Sequence, residues 1–108
     1  MTESKNAAVE IVDVDDDNVL NLSKPLPNGA DKLIFDFDKL NGYTLIACEK
    51  KAKKEDNTIM VPSVSQVYQA YVAAAAAGVK VDDIFGLNAN DFTAACIKAQ
   101  GFLLNAGR

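Results

Sequence analysis

The stretch VLNLSKPLPNGADKLIFDFD, residues 19–38, decides the fold class. Its first part alternates around Leu20 and Leu22. Its last part alternates more cleanly, with Leu33, Phe35 and Phe37 on one face and Ile34, Asp36 and Asp38 on the other. Period-two alternation is the signature of half-buried strands. Between the two parts lie Pro25 and Pro27, which end a strand or confine it to an edge. Asn28-Gly29 follows and supplies the positive φ that a turn demands. The segment therefore predicts a β-hairpin. An isolated hairpin is marginal in water and needs something to pack on.

The rest of the chain supplies helices. LNGYTLIACEKKAKKED, residues 40–56, changes to a helical period, with Asn41 as the N-cap and Leu45, Cys48 and Ala52 facing inward. Lys50, Lys51, Lys53 and Lys54 crowd its C-terminal half, where cations complement the helix dipole. No arginine or aromatic residue accompanies them, so a solvated helix end is preferred over a nucleic-acid patch. A second helix is capped at Ser63 or Ser65, with Val64, Val67, Tyr68, Tyr71, Val72 and Ala75 as its apolar stripe and Gly78 as its end. VKVDDIFGL reads as a short helix or turn. A final helix opens at Asn88 or Asn90 and buries Phe92, Cys96, Ala99 and Leu103. The expected architecture is α+β, an N-terminal β-hairpin packed on three to four helices, in one domain over residues 19–108.

At the front stands an acidic leader, residues 1–18. Glu3, Glu10, Asp13, Asp15, Asp16 and Asp17 oppose Lys5, a net charge of −5, whereas the whole chain carries −4. The remaining residues thus sum to +1. This segregation favours a disordered, solubilising leader over a nucleic-acid mimic, which would spread its anions across a folded surface. The aspartates also imitate half of a calcium loop, with Asp13, Asp15 and Asp17 at positions 1, 3 and 5. Asn18 then stands where glycine is needed and Lys24 where the bidentate glutamate belongs, so no calcium site is expected.

Catalytic chemistry is poorly supplied. The 108 residues include no histidine, which removes imidazole bases and Ser-His or Cys-His nucleophile pairs. Cys48 and Cys96, with no histidine to join them, cannot complete a common structural zinc site, and read as small buried apolar residues. No stretch approaches the ~20 apolar residues of a membrane span. No secretion signal opens the chain, so a cytoplasmic location is expected. The reading is a non-enzyme without cofactor or metal.

One apolar surplus remains. Phe102, Leu103 and Leu104 are consecutive and span about 200° of a helix surface, more than one buried stripe needs. Leu103 continues the stripe of Phe92, Cys96 and Ala99. Phe102 and Leu104 are therefore the candidate partner-binding residues, toward a second copy or a foreign helix, unless the hairpin or residues 81–87 cover them.

The ordered combination of these features resembles the tail assembly chaperones of long-tailed bacteriophages. That family commonly has an L-S-K-P strand near its start, a second strand, a helix with an acidic residue inside it, and a later helix opening on D-F. Here they are NLSKPL at 21–26, LIFDFD at 33–38, LIACEK at 45–50 and NANDFTAA at 88–95, so the resemblance covers about residues 19–104. At LNGYTL the chain departs from it, with Asn41-Gly42 in place of an acidic helix start. The resemblance implies a non-catalytic protein of the host cell cytoplasm. It would bind the tape measure protein, and possibly the major tail protein, and keep the former soluble while the tail tube assembles. Self-association is also implied, and neither nucleic acid nor membrane is expected as a partner. The alternative is a structural tail or neck component, or a small adaptor, retained in an assembly.

Overall fold

The computed structural model describes residues 18–58 and 65–105. Strands β1 (Val19–Asn21) and β2 (Lys32–Ile34) form an antiparallel pair in which Leu20 faces Leu33. Four helices follow: α1 (Gly42–Glu55), α2 (Gln66–Ala77), α3 (Val81–Phe85) and α4 (Ala89–Asn105). The fold is α+β, a hairpin packed on helices. Asn18 already belongs to it, because its carbonyl accepts a bond from Phe35 N–H at 2.8 Å. The expectation of a disordered leader otherwise falls on residues outside those described.

The hairpin ladder is shorter than the alternation suggests. Its loop runs from Leu22 to Asp31 and is braced by Leu22 N–H to the Asp31 carbonyl and Leu26 N–H to the Ala30 carbonyl. At its tip Gly29 has a φ of 91°, which glycine adopts without the Cβ penalty. Past Ile34 the chain leaves β1, and Asp36 N–H donates instead to the Ala76 carbonyl at the end of α2. Phe37–Lys39 then make a 3-10 turn. The inward face survives this change of partner, since Leu33, Phe35 and Phe37 are all buried and Ile34 is exposed.

Local chemistry sets the helix boundaries. Asn41 Oδ1 accepts from Thr44 N–H, and Thr44 Oγ1 accepts in return from Asn41 N–H, a capping box that starts α1. Ser65 Oγ accepts from Tyr68 N–H at the start of α2. Gly78, at φ 71°, closes α2 in the left-handed conformation.

α2 is the centre of the molecule. It packs against α1, α3, α4 and β2. The sequence suggests one apolar stripe on this helix, and the structure buries nearly its whole circumference. Tyr68 and Val72 of the expected stripe are buried, and so are Ala70, Ala73, Ala74 and Ala76 around the other side. Val64 lies outside the described residues. Alanine explains the difference: with no bulk beyond Cβ, it lets neighbouring helices approach from several sides, and a helix apolar all round belongs inside. Two aromatic groups join the layers. Phe35, Phe37 and Phe102 stack in series, and the rings of Tyr71, Phe85 and Phe92 connect α2, α3 and α4.

Candidate partner surface

Phe102 and Leu104 have different fates. The Phe102 ring stacks on Phe37 with centroids 4.9 Å apart and planes 13° from parallel. It is half-buried against the core, so its face is occupied within the subunit. Phe37 of the hairpin segment thus covers part of this side chain. Leu103 is also partly buried against the core, whereas Leu104 is 61% exposed. The helical wheel gives the reason. Ala95 and Ala99 are the most deeply buried positions of α4. Phe102 lies about 60° to one side of Ala99 and Leu103 about 40° to the other, so both straddle the inner face. Leu104 lies on the opposite face.

That outer face holds a second large apolar side chain which the sequence reading passed over. Ile97 is 59% exposed and lies two turns before Leu104, within about 20° of it on the wheel. Gly101 sits between them. Among the described residues, no atom lies within 4 Å of a Cβ built on Gly101. The signal was present in the sequence as the i, i+7 spacing, but Ile97 could be placed outside only once the inner face was known.

α1 exposes a different kind of surface. Tyr43 and Ile46 are mostly exposed on its first turns, and the exposed Lys50, Lys51 and Lys54 follow toward its end. Lys53 pairs with Glu49 at 2.9 Å across one turn, an exposed pair worth about 0.3–0.5 kcal/mol. The lysines form a solvated helix end.

A polar cluster joins the hairpin to the start of α4. Asp91 is buried, and its Oδ2 accepts from both Ser23 N–H at 2.9 Å and Ser23 Oγ–H at 3.0 Å. Asn88 Nδ2 donates to Ser23 Oγ, while Asn88 Oδ1 caps α4 by accepting from Asp91 N–H. The stretches NLSKPL and NANDFTAA therefore meet in space. Every polar atom named here has a protein partner, which makes the cluster a brace between elements. A shallow groove beside it, lined by Lys24, Pro25, Pro27, Asp83 and Leu87, gathers no nucleophile with a base.

Cys48 and Cys96 are free and buried. Burial pushes the Cys48 thiol up, with nearby Lys51 opposing, and pushes Cys96 up from 9.0 to about 11. These are inert core thiols. A group whose folded pKa is raised gives stability that is complete below its unfolded pKa and is lost as pH rises through the folded value. Stability should therefore fall between about pH 9 and 11, and urea melts of Cys96→Ala should show a shallower fall. Equal slopes for the two proteins would mean that Cys96 ionises as freely in the fold as outside it. Tyr68, raised mainly by burial, moves in the same direction and keeps some slope in both.

Among the described residues no group of three or more metal-ligating side chains gathers, and no helix is long and apolar enough to cross a membrane. The fold and surface together define a small α+β domain with an apolar outer helix face. No protein-family model, no curated protein and no solved structure matches the chain.

Proposed function

We propose that this protein is a non-catalytic tail assembly chaperone. It acts in the host cytoplasm, where it covers apolar stripes of a tape measure protein until the tail tube assembles around them. The observation that carries the reading is the outer face of α4, where Ile97 and Leu104 are mostly exposed on an otherwise well-packed helix. An apolar helix face of this kind pairs with the apolar stripe of another helix. The resemblance of residues 19–104 supplies the identity of that partner.

Co-expression tests it. A tape measure protein that is insoluble alone should become soluble with this chain. Ile97→Asp and Leu104→Asp should abolish the rescue, while melting within about 0.5 kcal/mol of the parent, as exposed substitutions do. Rescue that survives both substitutions would remove α4 from the reading. Recovery of the protein in purified mature particles would replace the chaperone with a retained tail component.

A further inference from the structure

We propose that Asn41 is a site of spontaneous covalent modification, where the backbone nitrogen of Gly42 converts the asparagine to aspartate and isoaspartate, while the hairpin turn protects Asn28. The chain has two Asn-Gly pairs, Asn28-Gly29 and Asn41-Gly42. A glycine after asparagine leaves its own nitrogen open to the side-chain carbonyl carbon, because no Cβ crowds the approach. Both asparagines are exposed, so solvent access does not separate them. In the reaction the glycine nitrogen gives its proton to hydroxide and attacks Cγ of the asparagine. A C–N bond forms and closes a five-membered imide, and Nδ2 leaves as ammonia. Water then opens the ring at one carbonyl or the other, giving aspartate or isoaspartate. One water enters and one ammonia departs.

The structure separates the two pairs at the nucleophile. The electrophile is polarised alike in both: Asn28 Oδ1 accepts from Ala30 N–H at 2.9 Å, and Asn41 Oδ1 accepts from Thr44 N–H at 3.1 Å. Gly29 N–H donates to the Leu26 carbonyl at 2.8 Å within the turn. To react it must first give up that bond. Gly42 is the first residue of α1, where a backbone N–H has no intrahelical acceptor. Among the described residues nothing accepts from it, and no atom stands within 4 Å of the place its Cβ would occupy. The product decides the consequence for the fold. Aspartate keeps an acceptor for Thr44 N–H and puts a negative charge at the start of a helix whose first turn has no acidic residue. Isoaspartate routes the main chain through the former side chain, lengthens it by one atom and parts the capping box.

The inference is independent of the chaperone reading, and its test needs only the purified full chain. Incubation in mildly alkaline buffer, followed by mass spectrometry of tryptic fragments, reads both asparagines at once, since residues 6–32 and 40–50 fall in separate fragments. Asn41 should convert at least about fivefold faster than Asn28, the factor for giving up one ordinary hydrogen bond before reaction. In strong urea the turn is gone and the two rates should converge. Gly42→Ala should stay folded, because alanine is the better helix former and the space is open among the described residues. It should slow conversion of Asn41 about tenfold, since the methyl crowds the attacking nitrogen. Equal rates in the folded chain, or faster loss of Asn28, overturn the inference. So does a ratio that urea leaves unchanged, because the difference would then belong to the neighbouring residues and not to the fold. Conversion of Asn41 that Gly42→Ala does not slow overturns it as well.

Discussion

Phe37→Ala should destabilise the domain by about 3–5 kcal/mol, the usual cost of emptying a buried phenylalanine site. Folded domains have only about 5–15 kcal/mol in all, so the variant should lie near the edge of folding. Three features make this position expensive. Phe37 is buried at the point where the chain leaves β2 for α1. Its ring is the middle member of the stack, 5.6 Å from Phe35 and 4.9 Å from Phe102. It is also the aromatic contact that holds the last turns of α4 to the hairpin side. Phe102→Ala should cost less, because Phe102 is only half-buried and loses one ring contact rather than two. The two substitutions should be less than additive, since each removes the same 37–102 contact. Urea denaturation followed by circular dichroism measures all three proteins. A Phe37→Ala cost below about 1 kcal/mol, or strict additivity, would mean that the stack does not join these elements.

Asp91→Ala should cost about 2–3 kcal/mol. The carboxylate accepts two hydrogen bonds from Ser23, and bonds to a charged acceptor are worth about 1.5–3 kcal/mol. Removing it strands the Ser23 N–H in a part-buried position and deletes the acidic residue from the first turn of α4, where it favours the helix dipole. Ser23→Ala keeps the N–H bond but removes both the hydroxyl bond to Asp91 and the one the hydroxyl accepts from Asn88 Nδ2, and should cost about 1–2 kcal/mol. A double-mutant cycle between the two should return a coupling of at least about 0.5 kcal/mol, as expected for directly bonded side chains. If Asp91→Ala melts within about 0.5 kcal/mol of the parent, the brace between the hairpin and α4 contributes nothing net.

Much of this architecture was legible because it rests on local chemistry. Alternation placed Leu33, Phe35 and Phe37 on one face, and all three are buried. Asn41, Ser65 and Gly78 bound their helices because caps and left-handed glycines act over three or four residues. Cys48, Ala52, Cys96 and Ala99 follow from helical period, and each lies inside. The fold class came from the same signals.

Long-range packing decided the remainder. Periodicity gives a helix an inner side only when one side is apolar, and α2 carries too much alanine for that. Its central position became visible only with α1, α3 and α4 around it. In α4 the run Phe102-Leu103-Leu104 fits more than one inner face. The choice fell to Phe37, which is 65 positions away in the chain and offers a ring for Phe102 to stack on. That contact turned Leu104 outward and set Ile97 beside it. The bond from Ser23 to Asp91 spans 68 positions and leaves no local trace in either segment. Sequence alone thus determined the order of hairpin and helices, the cap that starts α1 and the glycine that ends α2. Tertiary structure determined which of their surfaces are spent on one another and which remain open, because burial depends on neighbours that the chain brings together only on folding.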